Sequence, residues 1–226
     1  MPEQLSFDLP AMPVLGRDDF FVSPENAMAV AMIDASDSWP NGKLVLSGPT
    51  GAGKTHLTHV WAAANDAEIV TAAELPSRDI PALARHCIAV EDVPRIASDR
   101  EAQNALFHLH NLILSQGNRL LMTGRGAPNL WSLPLPDLQS RIDGTTHIAL
   151  LAPDDRLLAA VLAKLFADRQ ITPKPDVIPF LLSRMDRSFR AAEDIVNRLD
   201  KAALSRHHTL SRRLAAELLG AQERTD

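Results

Sequence analysis

The stretch GPTGAGKT, residues 48–55, is the strongest fold signal in this chain, because it fits the pattern G-x-x-x-x-G-K-[ST] at every required position. It directly follows the apolar run Leu44-Val45-Leu46 and directly precedes a helical segment, which is the strand, loop and helix context that the pattern needs. The glycines allow successive backbone N–H groups to curl around phosphate oxygens, and the helix directs its positive end at the same anion. The stretch therefore predicts a phosphate-binding loop, called the P-loop below.

The side chains of the P-loop have separate expected roles. Lys54 is expected to reach the β- and γ-phosphates of a nucleotide, and the hydroxyl of Thr55 is expected to bind Mg²⁺. The predicted nucleotide contacts are Gly48, Pro49, Thr50, Gly51, Ala52, Gly53, Lys54, Thr55 and His56. The alternative is a glycine-rich turn that fits the pattern by chance, and the setting of the eight residues disfavours it.

A second acidic element follows the apolar run of CIAVEDV, where Glu91 and Asp92 form a Walker B-like pair. Glu91 is expected to hold the metal and Asp92 to orient or deprotonate the attacking water. The usual order places aspartate first, and the longer Glu91 side chain displaces its carboxylate by ~1.5 Å. The pair therefore predicts nucleotide binding more firmly than turnover. Its alternative is an exposed turn that carries two acids.

Bulk composition limits the function classes. The chain has 226 residues, a net charge of −5 and one cysteine, Cys87, so an intramolecular disulfide is excluded. No window is long and apolar enough for a membrane span, and the N-terminus lacks a secretory signal, which together predict a cytoplasmic protein. The negative charge argues against general non-specific binding to nucleic acid.

Strand and helix signals alternate up to about residue 152, which is typical of an α/β fold with a parallel sheet. Five β-rich runs are predicted, at 44–46, 68–71, 87–90, 120–123 and 147–150. Helices are predicted at 101–116, 155–168, 176–185, 188–203 and 209–219, the last one ending at Gly220, and another is expected to start with Ser23 as its N-cap. The predicted organisation is a leading peptide and linker (1–19), an α/β nucleotide-binding domain (20–152) and a helical domain (153–226).

Three later segments, together with FFVSPEN at residues 20–26, carry a family resemblance. They are RLLMTG with Thr123, DLQSRI with Arg141, and RSFRAAEDIVNRL with Arg190. From about residue 20 to 204 the chain resembles the AAA+ domain of the DnaA family. The resemblance implies a P-loop NTPase core with a five-stranded parallel sheet and a helical lid. It also implies that Thr123 is sensor I, Arg141 an arginine finger and Arg190 the sensor II arginine.

Each of these assignments has a structural alternative. Thr123 is also what a strand end commonly carries, and Arg141 and Arg190 are also ordinary solvated arginines. Gly124 and Arg125 depart from the acidic or small polar residues often found after sensor I. By the same resemblance Phe21, Val22 and Asn26 contact the adenine; the alternative is that they pack an N-terminal segment.

The leading peptide QLSFDL indicates a particular branch of the family. The chain is expected to lack the DNA-binding domain of DnaA, because it ends at Asp226, and in this it resembles the Hda branch of regulatory inactivators, which carry a sliding-clamp-binding peptide at the N-terminus. Gln4 fits the glutamine of such peptides, and Leu5, Phe7 and Leu9 can fill an apolar cleft, although Phe7 and Leu9 exchange the usual aliphatic and aromatic positions. The alternatives are an arm that packs on its own domain, or disorder.

Three functions follow. The first is a DnaA-like regulator that binds ATP or ADP with Mg²⁺, is tethered to the bacterial DNA polymerase III sliding clamp, and promotes hydrolysis of DnaA-bound ATP. Its partners would be DnaA and the clamp, which would bring it to the nucleoid, with homo-oligomers as a further possibility and no sequence-specific DNA binding. The second is an initiator, or a helicase or clamp loader, that acts through its own ATP hydrolysis. The third, a small-molecule P-loop kinase, is disfavoured by the lid-like helical region.

Overall fold

Residues 21–206 and 210–222 are described in the computed structural model of this chain. The predicted clamp peptide and linker, residues 1–19, lie outside the described residues. The strands are β1 (Lys43–Ser47), β2 (Glu68–Thr71), β3 (Ile88–Glu91), β4 (Leu120–Gly124) and β5 (Thr146–Ala149). All five pair in parallel in the order β2-β3-β4-β1-β5, which confirms the predicted five-stranded parallel sheet.

Helices cover both faces of this sheet, because successive strand residues alternate between the faces. The helices of the α/β part are α1 (Ala27–Asp34), α2 (Lys54–Asn65), α3 (Ile80–Leu83), α4 (Arg100–Ser115) and α5 (Pro136–Asp143). Val45 belongs to the core beneath α3, α4 and α5, whereas Leu44 and Leu46 belong to the core beneath α1 and α2. The near-continuous apolar runs of the central strands are therefore those of a sheet buried on both sides.

The last four helices form a separate core. They are α6 (Asp155–Asp168), α7 (Val177–Leu182), α8 (Phe189–Arg206) and α9 (Arg212–Gln222). Fully buried side chains such as Phe166, Leu181 and Val196 join them. Among the described residues, no helix is both long enough and apolar enough to cross a membrane.

Several helix boundaries differ from the predicted ones: α7 ends at Leu182 rather than at residue 185, α8 continues to Arg206 rather than ending at residue 203, and α9 begins at Arg212 rather than at residue 209. At two further boundaries the structure gives the reason. The first helix begins at Ala27 rather than after Ser23, because residues 23–26 form a turn in which Asn26 N–H donates to Ser23 O at 3.1 Å. The predicted end of the last helix at Gly220 is wrong, since α9 continues to Gln222. An Arg198 guanidinium bond to Leu218 O, 2.7 Å long, ties α9 to α8. Tertiary packing thus outweighs the small helix cost of one glycine.

A buried basic pair joins β1, α4 and α5 at the amino edge of the sheet. Lys43 Nζ donates to Arg141 O at 3.0 Å and lies 3.3 Å from His110 Nε2. Lys43 and His110 are both buried, with 6% and 1% of their surface exposed. Burial, and next the charge of Lys43, lower the pKa of His110 to about 4, so its ring is neutral at pH 7 and can accept the Lys43 proton.

Acidification is expected to destabilise the fold through His110. The His110 ring has a pKa of about 4 in the folded protein and the ordinary value of 6.5 in the unfolded chain. Between these pH values the unfolded state therefore binds more protons than the folded state. The free energy of unfolding falls as the pH is lowered through this range. Between pH 7 and pH 5 the loss should be about 1 kcal/mol after allowance for solvent screening. Urea unfolding at both pH values measures it. The non-titrating variant His110→Gln should lose less, and an equal loss would contradict the role of His110.

Candidate nucleotide-binding site

Three strand ends meet at the carboxyl edge of the sheet and form the candidate site. β1 leads into the P-loop, β3 ends at Glu91 and β4 ends at Gly124. Because β4 lies between β1 and β3, Thr123 on β4 separates the P-loop from the two acids. This is the place where open parallel α/β sheets bind ligands.

The P-loop backbone is fixed to its neighbours before α2 begins. Gly48 N–H donates to Gly124 O at 3.2 Å, which extends the pairing of β1 with β4 by one residue. A Cβ atom on Gly48 would lie 2.6 Å from Leu150 O, so only glycine fits there. Gly53 is the N-cap of α2 with a φ of 97°, and the first N–H groups of the helix therefore point out of the loop, where they can bind an anion.

Lys54 lies over the P-loop and within the field of both acids. Its Nζ atom donates to Gly48 O and Pro49 O, at 2.8 Å each. Burial lowers the pKa of Lys54 and the charge of Arg125 lowers it further, whereas the charges of Asp92 and Glu91 raise it. The ammonium group is therefore bound by neutral carbonyl acceptors beside the expected anion site. A charged phosphate is a stronger acceptor than these carbonyls and can replace them.

Asp92 and Thr123 are in direct contact. The Asp92 N–H donates to Thr123 Oγ1 at 3.4 Å, and Thr123 is 1% exposed. Asp92 has a left-handed backbone, with a φ of 58°, which turns the chain sharply at the end of β3. Its carboxylate lies 3.4 Å from the guanidinium of Arg95. The structure thus brings two of the residues predicted for catalysis together at adjacent strand ends.

The oxygen groups at this edge fit a magnesium ion. Thr55 offers a hydroxyl in the first turn of α2, and Glu91 and Asp92 offer half-buried carboxylates at the end of β3. Mg²⁺ is usually held by one or two carboxylates together with substrate phosphates and waters. The donor set therefore suits Mg²⁺ bound beside a nucleotide, with Thr55 and Glu91 as the predicted protein ligands.

The helical region contacts the P-loop through the start of α8. Phe189 N–H donates to Gly51 O at 3.0 Å, and Ser188 caps α8 by accepting from Ala191 N–H at 3.0 Å. Gly51 has a φ of +73°, and a Cβ atom on it would lie 2.2 Å from Ser188 Cβ. Arg190 lies in the first turn of α8, exposed and 3.8 Å from Asp194. The backbone next to the predicted sensor II arginine therefore contacts the P-loop, while the guanidinium itself lies beside Asp194.

Replacing Gly51 with alanine is expected to separate the P-loop from α8. The new methyl group would clash with Ser188, and the nucleotide affinity should fall at least about tenfold, because both sides of the site must shift. Gly117→Ala is the matched control, since Gly117 has the same φ of +73° but nothing within 4 Å of an added Cβ. Calorimetric titration with ADP compares the two variants. Equal affinities would show that the contact with Ser188 has no influence on binding.

The predicted adenine contacts lie in the segment before α1. Asn26 is buried, and its side chain is engaged on both sides: Nδ2 donates to Phe21 O at 2.9 Å and Oδ1 accepts from Ser23 N–H at 2.8 Å. Phe21 is half-buried and Val22 is 54% exposed. The amide of Asn26 therefore shapes the turn, which leaves Val22 as the more accessible of the three side chains.

Arg141 lies at the opposite edge of the sheet. It is exposed in the last turn of α5, and its carbonyl accepts from Lys43, the first residue of β1, whereas the P-loop follows the last residue of β1. At ~3.3 Å per residue, the five residues of β1 separate these points by roughly 16 Å. The structure thus does not bring Arg141 to the P-loop of its own chain.

Two residues at the site have no role assigned from the sequence pattern. By sequence, Arg125 is noted only as a departure from the family pattern. In the structure its charge lowers the pKa of Lys54, after the larger effect of burial. Trp131 Nε1 donates to Arg125 O at 2.9 Å and so holds the backbone at this residue. Ser188 is only a helix cap by pattern, yet it sets the contact with Gly51. The position of Arg125 directly after a central strand is a sequence signal for a place at the site. No sequence signal indicates the contact of Ser188 with Gly51.

Comparison with known proteins identifies the fold. No protein-family model matches the chain. Domain III of the replication initiation protein DnaA from Thermotoga maritima superposes with a TM-score of 0.82 at 18% identity, over 94% of this chain and 98% of that one. AMPPCP-bound DnaA from Aquifex aeolicus gives a TM-score of 0.73 at 15% identity, over 86% of this chain and 68% of that one. The branch migration motor RuvB from Thermotoga maritima gives 0.72 at 14%, over 92% and 73%. The chain therefore has a DnaA-like AAA+ fold, a parallel α/β core followed by a helical region.

Proposed function

We propose that this protein binds ATP or ADP with Mg²⁺ at the P-loop and regulates DnaA, as an Hda-type inactivator does. The AMPPCP-bound DnaA structure, which shares the fold, supports nucleotide binding by this chain. In the proposed complex Lys54 and the α2 N–H groups would bind the phosphates, and Thr55 and Glu91 would hold Mg²⁺, whose charge would offset that of the phosphates. Thr123 would act as sensor I and Arg190 as the sensor II arginine of the helical lid.

The single observation that carries the regulatory proposal is the position of Arg141. Because Arg141 is exposed and remote from its own P-loop, its side chain can reach a nucleotide bound by another molecule, which supports an action in trans. We assign that nucleotide to ATP on DnaA, whose domain III shares this fold. A guanidinium supplied in trans stabilises the charge of the phosphoryl-transfer transition state and raises such rates by ~10³ to 10⁵.

In this mechanism the nucleotide of the regulator itself acts as a structural ligand. It would bind between the P-loop and the start of α8, where Phe189 and Gly51 already share a hydrogen bond. Glu91 at the metal position then lowers the intrinsic turnover of the protein without impairing the function, because the catalysed hydrolysis takes place on DnaA.

The clamp tether completes the proposal. Gln4, Leu5, Phe7 and Leu9 would bind the sliding clamp and so concentrate the regulator on replicated DNA, near the nucleoid. This step rests on the sequence resemblance of QLSFDL alone.

Hydrolysis of DnaA-bound ATP tests the function. DnaA loaded with labelled ATP is incubated with this protein, ADP, and sliding clamp loaded on DNA. The regulator predicts clamp-dependent conversion of ATP to ADP on DnaA, and the double substitution Gln4→Ala, Phe7→Ala should abolish both clamp binding and stimulation. Calorimetric titration of the clamp measures the binding step separately. Stimulation that does not depend on the clamp would remove the tether from the proposal, and absence of stimulation would refute the regulatory role.

The alternative is an initiator or loader that works by its own ATP hydrolysis. The retained contact between Asp92 and Thr123 and the shared fold of the RuvB motor favour it. It predicts substantial intrinsic ATPase activity and nucleotide-dependent self-assembly, which steady-state phosphate release and light scattering measure.

A further inference from the structure

A cavity lies at the amino edge of the sheet, beneath the start of β1 and away from the P-loop. Its volume is about 500 Å³, within the range of small-ligand pockets. The residues that line it are Asn41, Gly42, Lys43, His110, Leu114, Gly117, Asn118 and Arg141. Three of these side chains carry basic nitrogens and none is acidic.

Within residues 21–206 and 210–222, the positive charge in this cavity has no carboxylate partner. Lys43 Nζ is in contact with two neutral groups, Arg141 O and His110 Nε2. The arrangement that satisfies the ring of His110 has its proton on Nδ1, 3.3 Å from Asn111 Oδ1, and leaves Nε2 as the acceptor for Lys43. In the described part of the chain, no ion pair with a carboxylate includes Lys43 or Arg141.

Lys43 and Arg141 are both cationic and line the same cavity. Burial, and next the charge of Arg141, lower the pKa of Lys43. Burial and the charge of Lys43 lower the pKa of His110 most, and the charge of Arg141 lowers it further. The ammonium and guanidinium groups are therefore close enough to repel each other, and a buried cation without a counter-charge is costly. An anion in the cavity would remove this cost.

The geometry points to a phosphate-binding pocket formed by Lys43 and Arg141. A phosphate group carries nearly two negative charges at neutral pH, which match the two cations, whereas a carboxylate carries one. Arg141 can offer two parallel N–H donors, and Lys43 adds a point charge from the floor of the cavity. This site is distinct from the P-loop, and it does not depend on the proposed action on DnaA.

Phosphate titration followed by NMR of the His110 ring tests the proposal. The full chain carries Lys54→Ala, so that the P-loop lysine does not contribute, and His110→Gln identifies the ring signal. Inorganic phosphate should shift this signal saturably, and acetate should bind at least about tenfold more weakly. Lys43→Met and Arg141→Gln should each weaken phosphate binding at least about tenfold, whereas the exposed control Lys201→Met should not.

Two results would exclude Lys43 and Arg141 as an anion pocket, and a third would exclude phosphate as its ligand. One is a ring signal that phosphate does not shift, and the other is equal phosphate affinity in the parent and the Arg141→Gln chain. Arg141→Gln decides the question even if Lys43→Met unfolds the protein, because the Arg141 side chain is exposed and its carbonyl bond to Lys43 is made by the backbone. Equal affinities for acetate and phosphate would refute the assignment to phosphate.

Discussion

Replacing Arg141 with alanine is expected to reduce the stimulated hydrolysis of DnaA-bound ATP by a factor of ~10³ or more. The variant loses the guanidinium that would stabilise the transition state in trans. It keeps the hydrogen bond from Lys43 Nζ to the residue 141 carbonyl, since that bond involves the backbone. The fold and clamp binding should therefore persist while stimulation is lost, and a single-turnover assay on preloaded DnaA measures the rate.

Arg156→Ala is the control for this experiment, because Arg156 is another exposed arginine, placed on α6 of the helical region. It should stimulate hydrolysis at the rate of the unmodified protein. Thermal unfolding should show that both variants keep the stability of the parent within about 0.5 kcal/mol, as expected for exposed substitutions. If Arg141→Ala still stimulated hydrolysis fully, Arg141 would not be the finger.

Replacing Lys54 with alanine should weaken the binding of ADP and ATP by roughly 100-fold. The lysine would form charge-assisted bonds to two phosphates, each of which is typically worth about 1.5–3 kcal/mol. The N–H groups of α2 remain in the variant and explain why binding should be weakened rather than abolished. Titration calorimetry with both nucleotides measures the change.

Lys201→Ala, an exposed lysine on α8, is the matched control and should bind nucleotide with unchanged affinity. The bonds of Lys54 to Gly48 O and Pro49 O are lost in the variant. The bond to Pro49 O is exposed and the bond to Gly48 O is only partly buried, so the stability should change by about 1 kcal/mol at most. Unchanged nucleotide affinity in Lys54→Ala would exclude the P-loop as the binding site.

Local sequence was enough to predict the elements that carry the site. Residues 48–55 predict a strand, a loop and a helix in succession, because the glycines, lysine and threonine of the pattern lie close together in the chain. The five β-rich runs predicted the strands to within a few residues, because a buried parallel strand has a near-continuous apolar signal. The end of α9 was missed, since Gly220 reads as a stop and only its packing against α8 shows otherwise.

Relations between distant segments could not be predicted from pattern alone. Gly51 occupies a variable position of the P-loop pattern, and its need for glycine arises from Ser188, which lies more than a hundred residues further along the chain. The contact of Asp92 with Thr123 depends on the strand order, which places β4 beside β3.

A P-loop, five parallel strands and a helical region could be predicted from the residues alone, because these follow from local geometry and hydrophobic periodicity. The folded structure was needed to show that Arg141 lies at the edge of the sheet opposite the P-loop, and that Lys43 and His110 lie beneath it. Such placements depend on how strands are ordered and helices are packed. These are long-range choices that no short stretch of residues encodes.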